Sequence, residues 1–148
     1  MLIKVGVKTI RKTKDDAEKT RRDILKAALA VFSKKGYAST SLEEIAKAAG
    51  VTRGAIYWHF DNKAKLYNTL IDEANTKGDI VIAEAMKGCT TFREMCKKIL
   101  IAQWKLLEED EEYRAIMILV MFNTGIVPEL EESRKILLES SKKVVMIV

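Results

Sequence analysis

"AAGVTRGAIYWHF", residues 48–60, places one glycine just before Val51-Thr52-Arg53 and another just after it. It then crowds two aromatics, the chain's single histidine and a phenylalanine into its last four positions. Gly50 is suited to stop one helix and Thr52 to N-cap the next, beginning at Arg53, so only about three residues separate two short helices. The earlier helix opens at Thr40 or Ser41. Thr40 with Glu43 and Ser41 with Glu44 both satisfy the capping-box spacing, and Leu42, Ile45, Ala46 and Ala49 form its inner stripe. Two short helices joined this way make a helix-turn-helix, whose second helix enters the DNA major groove and brings its N-terminal residues to base edges.

On a helical wheel Ile56 and Phe60 point together and, with Val51, hold the second helix against its neighbours. Gly54, Ala55, Tyr57, Trp58 and His59 spread over the outward face. Gly54 and Ala55 are small enough for close approach to base edges and a thymine methyl, and Arg53 carries the bidentate fork that guanine accepts. Tyr57, His59 and Lys63 can donate to phosphates, as can Thr52, Thr40 and Ser41 near helix starts whose free N–H groups attract anions. Taken singly these residues have bland readings: a structural histidine, a partly buried Trp58, a Gly54 kept for helix packing. Their coincidence with the turn and with the charge distribution favours DNA.

That distribution is uneven. Residues 1–63 hold 14 Lys and Arg against 7 Asp and Glu, and residues 64–148 hold 12 against 14, so the net charge of +5 is concentrated in the first part. At 148 residues and 48% apolar composition the chain has material for one ordinary core or two small ones. The longest apolar run, Ala115 to Phe122, is far short of the roughly 20 residues of a membrane span, and the start lacks a signal peptide's apolar stretch, so a cytoplasmic location is expected. Cys89 and Cys96 with one distant histidine cannot assemble a four-ligand zinc site or a disulfide framework; they read as reduced thiols, and neither a metal nor another cofactor is expected.

One proline, Pro128, and a predominance of Ala, Leu, Ile, Lys and Glu predict an all-α chain. A first helix spans about Ala17 to Lys35, with Ile24, Leu25, Ala28, Leu29 and Phe32 at helical spacing and Gly36 as its cap. Asp61 or Asn62 caps a fourth, from Lys63 to about Lys77, with Leu66, Leu70 and Ile71 inward. Gly78 and Gly88 bracket an apolar segment left unassigned. Thr91 and Glu94 make a capping box for a helix to about Glu109, interrupted by "EEDEE". A helix from Glu112 to Asn123, apolar nearly all round, is expected to be buried and to close at Gly125, and Pro128 suits the first turn of a last helix. The division is thus a basic arm over residues 1–16, a DNA-binding unit over 17–62, and a linker helix with a helical second unit over 63–148. Trp104, Met117, Met121 and Phe122 are candidates for lining an apolar effector site in that second unit.

Ile24, Leu25, Ala28, Phe32, Gly36, Tyr37, Thr40 and Ser41, then Ile45, Ala46, Gly50 and Val51, then Tyr57, His59, Phe60, Lys63 and Leu66 match the DNA-binding domain of the TetR family of transcriptional repressors. The chain closely resembles that family over residues 11 to about 75, and "YWHFDNKAKL" is similar to its multidrug-efflux branch. The resemblance implies that Thr52, Arg53, Ala55, Tyr57, Trp58, His59 and Lys63 line the DNA. It also implies a near-palindromic operator, a homodimer, and release by a small lipophilic or aromatic effector. Family members usually add two long helices that form a dimer bundle, and the sequence stops at "KKVVMIV" before either; a shortened second unit, with dimerisation in doubt, is therefore the expectation. The alternative function is a truncated interaction module that pairs with another regulator. No nucleophile, base and orienting acid recur at useful spacing, which disfavours an enzyme.

Overall fold

In the computed structural model the chain is described over residues 4–123 together with Leu130, Glu131 and Lys135, with side chains from Lys14 to Phe122 and at those three. The described residues form six α-helices: α1 Lys4–Lys35, α2 Leu42–Ala49, α3 Arg53–Phe60, α4 Lys63–Met86, α5 Phe92–Glu109 and α6 Glu111–Ile118. The last continues in a wider π-type turn, Leu119–Asn123. The expected closing Gly125 and the helix at Pro128 lie outside the described residues.

Helix α1 begins thirteen residues before Ala17, where an irregular basic arm was expected. Residues 7–18 hold no proline or glycine and are rich in Lys and Arg, so a helix nucleated by the packed half propagates back through them. An apolar stripe is what announces a helix in sequence, and this stretch has none. At the other end Gly36 turns the chain with φ +76° and donates its N–H to the Phe32 carbonyl at 2.7 Å. Of the two capping boxes offered, Ser41 with Glu44 is the one formed: Ser41 Oγ accepts from the Glu44 N–H at 3.2 Å, and Glu44 Oε2 accepts from the Ser41 N–H at 2.9 Å. Asn62, not Asp61, caps α4, accepting from the Lys65 N–H at 2.8 Å, while Asp61 takes φ +60° to end α3.

Helix α4 runs past Lys77 through Gly78 to Met86, absorbing the unassigned segment. The glycine there is answered by packing: a Cβ on Gly78 would lie 3.1 Å from Tyr113 Oη, so its absence lets α4 and α6 approach closely. Between α5 and α6, Asp110 is the hinge. Its Oδ1 caps α6 by accepting from the Tyr113 N–H at 2.9 Å, and its Oδ2 accepts from Lys77 Nζ at 2.5 Å. That lysine, followed by the backbone hydrogen bond, holds the Asp110 carboxyl below the usual carboxylate range. At Thr91 the box is incomplete in the expected sense: Thr91 Oγ1 accepts from the Glu94 N–H at 3.2 Å, but Glu94 reaches back to the N–H of Thr90 instead.

One contiguous core joins both parts. Ile24, Leu25, Ala28 and Phe32 of α1, Ile45 of α2, Ile56 and Phe60 of α3 and Leu66, Leu70 and Ile71 of α4 are buried together with Tyr113, Ile116 and Leu119. Phe32, Tyr37 and Tyr67 form an aromatic triad with centroids 5.1–5.7 Å apart. Arg21 fastens three helices, pairing with Glu73 of α4 at 3.1 Å and lying 5.4 Å from the Phe60 ring of α3. The expectation that the helix after Glu111 is buried all round is not met. Tyr113, Ile116 and Leu119 face the core, whereas Ile118, Met121 and Phe122 are exposed. Among the described residues no helix is long and apolar enough to cross a membrane.

Candidate nucleic-acid interface

The turn between α2 and α3 is built by backbone needs. Gly50, at φ +68°, gives its N–H to the end of α2, Val51 donates to the Ala46 carbonyl at 3.0 Å, and Thr52 Oγ1 caps α3 by accepting from the Ala55 N–H at 3.2 Å. With Ile56 and Phe60 buried, helical geometry sends Arg53, Gly54, Tyr57 and Trp58 outward. Trp58 is 74% exposed, which no demand of core packing explains. Gly54 is equally unexplained by packing: an added Cβ would meet only Thr52 Oγ1, at 3.8 Å. Ala55 and His59 are half-buried at the edges of this face.

Arg53 is held in place. Its guanidinium pairs with Glu43 of α2 and donates from Nη2 to the Tyr57 hydroxyl at 2.8 Å, its carbon lying 5.3 Å from the Tyr57 ring centroid. The Tyr57 hydroxyl first, and then the Glu43 charge, raise the guanidinium above its ordinary value. Burial pushes the His59 imidazole below its usual value, and nearby Arg21 does so further against an opposing Glu18. Trp58 and His59 meet edge to face at 4.5 Å and, with Lys14, Asp15, Ala17, Glu18 and Arg21, line a groove of about 490 Å³ between α1 and the end of α3.

Three expected phosphate donors are placed differently. Thr40 is 3% exposed, and its hydroxyl donates inward to the Gly36 carbonyl at 2.8 Å. Ser41 spends its hydroxyl on the capping box, and Glu44, paired with Lys35, occupies the helix start that would otherwise attract an anion. Lys63 donates to the carbonyls of Tyr37 at 3.0 Å and Thr40 at 2.9 Å, its ammonium 4.3 Å from the Tyr37 ring centroid. It ties the α1–α2 turn to the start of α4, leaving one N–H for other partners. Glu43 and Arg21, which sequence reasoning passed over, stand beside the face. Only their contacts across the fold reveal them, because neither lies at a helical spacing from Arg53 or His59.

Among the described residues the four candidates for an effector site do not enclose one. Trp104, Met121 and Phe122 are 72–76% exposed, and Met117 is only partly buried against the core. Trp104 instead borders an open groove of about 410 Å³ with Leu107, Glu108 and Arg114, and a second of about 430 Å³ with Leu100, Ile101, Lys105 and Glu108. Its neighbours are therefore on α5 and the start of α6, and Met117, Met121 and Phe122 line neither groove. Trp104 lies on α5, Met117 on α6, and Met121 and Phe122 in the turn that continues α6.

The chain is similar in sequence and fold to known proteins. Residues 24–70 match the model of bacterial regulatory proteins of the tetR family. The chain is 38% identical over 140 residues to the HTH-type transcriptional regulator AcrR of Shigella flexneri, covering 90% of this chain and 65% of that one. It is 51% identical over 70 residues to the HTH-type transcriptional regulator TtgR of Pseudomonas putida, covering 47% and 33%. Among solved structures, NalD, the secondary repressor of the MexAB-OprM multidrug efflux pump in Pseudomonas aeruginosa, superposes with a TM-score of 0.69 at 40% identity. That match covers 82% of this chain and 60% of NalD. The chain thus spans less than two thirds of each of these relatives. Its all-helical fold is that of TetR-family proteins, and residues 24–70 match the N-terminal domain of the tetR family of bacterial regulatory proteins.

Proposed function

We propose that the chain is a sequence-specific DNA-binding transcriptional repressor acting in the cytoplasm, with α3 as the helix that enters the major groove. The observation that carries this reading is the outward face of α3, where Arg53, Gly54, Tyr57 and Trp58 are exposed and core packing among the described residues accounts for neither Gly54 nor Trp58. Thr52, Ala55 and His59 complete the contact surface, and Lys63 contributes its remaining N–H. The names of the relatives, regulators and a repressor of an efflux pump, support the same reading. TetR-family regulators bind operator DNA and small effectors, usually as dimers, so a near-palindromic operator, a homodimer and release by a lipophilic effector belong to the proposal. The open grooves beside Trp104 are the surfaces on which such an effector would be sought.

Selection of bound duplexes from a random pool, followed by affinity measurements at several salt concentrations, tests the reading. A single enriched motif, bound with an affinity that falls steeply as salt rises, is the expected result. Failure to enrich any motif refutes it.

A further inference from the structure

The geometry points to Glu43 of α2 as a specificity-determining residue of DNA reading, one that buttresses Arg53 from outside the recognition helix. The inference rests on the reading of Arg53 as a base-contacting residue. A guanidinium has five N–H donors on a rigid plane, and reading guanine O6 and N7 takes two of them. Here one donor is committed to Glu43 through Nη1 and one to Tyr57 Oη through Nη2, which leaves three. An arginine on an exposed helix start ordinarily sweeps a wide range of rotamers and reaches any phosphate near it. Anchored on both terminal nitrogens, with its plane beside the Tyr57 ring, this one is confined to a single aim.

Glu43 has no other assigned work. The α2 cap is made by Ser41 and Glu44, and the Glu43 side chain is 56% exposed, outside the core. A carboxylate close to a DNA-facing surface repels the phosphate backbone, so on electrostatics alone it weakens binding to every sequence alike. What it supplies in return is discrimination. Held by Glu43, Arg53 meets guanine already oriented; released, it gains phosphate contacts on any DNA and loses its preference. Glu43 acts through Arg53 and is a positioning residue.

The test compares operator with random duplex for the full chain, for Glu43→Gln, for Arg53→Ala and for the double variant. Glu43→Gln is expected to bind random DNA more tightly and to lower the operator-to-random affinity ratio about two- to five-fold, the scale of an exposed ion pair. The loss should be concentrated at the base pair whose preference Arg53→Ala also relaxes. In the Arg53→Ala background, Glu43→Gln should leave the ratio unchanged, since only the uniform charge effect remains. A ratio unaltered by Glu43→Gln, or altered equally with and without Arg53, overturns the inference. A second measurement needs no DNA: exchange of the Arg53 side-chain N–H protons, followed by NMR in the free chain, should accelerate in Glu43→Gln, and equal rates also overturn the buttress. If the unmodified chain fails to discriminate operator from random DNA while that exchange is slowed by Glu43, the DNA-reading proposal fails and the Glu43–Arg53 contact does not.

Discussion

Replacing Gly54 by alanine separates a residue kept for folding from one kept for contact. Gly54 is the second residue of α3, exposed, and an added Cβ meets nothing nearer than Thr52 Oγ1 at 3.8 Å. The free chain therefore tolerates the methyl group. Glycine in a helix interior is less stable than alanine by about 0.5–1 kcal/mol, and in a first turn the lower figure applies, so Gly54→Ala should stabilise the chain by about 0.5 kcal/mol. For a chain of this length that raises Tm by roughly 1–2 °C. If α3 packs on base edges at Gly54, as proposed, the same methyl has no room there. Forcing an extra carbon into a close-packed contact costs about 1–3 kcal/mol, which weakens operator binding roughly five- to 150-fold. Thermal melts and fluorescence anisotropy with the selected operator measure both. A variant that is more stable and binds undiminished shows that the helix does not approach DNA at this position, and a destabilised variant refutes the reading of the free structure.

Lys63→Ala should lower stability by about 1–2 kcal/mol in a denaturant titration, because it removes two charge-assisted hydrogen bonds from the α1–α2 turn. Arg53→Ala should leave stability nearly unchanged and relax preference at one base pair; equal stability losses for the two would contradict their different placements. Glu44 has its carboxyl lowered to about 2, first by the hydrogen bond from Lys35 and then by the Ser41 backbone. A depressed carboxyl adds stability above its unfolded value of 4.5 that is lost as pH falls toward 2, so Glu44→Gln should show a shallower acid decline across that window. The His59 imidazole is held below its ordinary 6.5, mainly by burial, so its share of stability is complete above that pH and declines below it. A phosphate beside it would reverse the shift. Operator affinity should then rise as pH falls through about 6.5, and His59→Asn should abolish that dependence; a pH response retained in the variant would remove His59 from the phosphate contacts.

The elements around the turn were readable because each is decided locally. Gly50, Thr52 and the pair Ser41 with Glu44 announce their helix ends by chemistry that needs no distant partner. Ile56 and Phe60 are inward and Tyr57 and Trp58 outward for the same reason, since periodicity assigns faces before packing does. Side chains that answer to the far side of the fold were not readable. Lys63 looks like a phosphate donor alone, and its second task shows only when the carbonyls of Tyr37 and Thr40, more than twenty residues away, are seen to accept from it. Gly78 looks like a helix end until Tyr113 is found against it. The corner between α5 and α6 was hidden for a related reason: Asp110 is held there by Lys77 of another helix, 33 residues away.

Because α4 passes through Gly78 without a break, it is a single rod of 24 residues, about 36 Å long. One end is fixed to the α1–α2 turn by Lys63, and its middle is pinned at Lys77 to the corner between α5 and α6. A rod held at two such points behaves as a lever with its fulcrum inside the protein. The 14 residues from Lys63 to Lys77 span about 21 Å, so a tilt of about 5° about the Lys77 contact moves the Lys63 end by roughly 2 Å. A small rearrangement at the corner between α5 and α6 therefore reaches the start of α4, beside α3, as a displacement of that order.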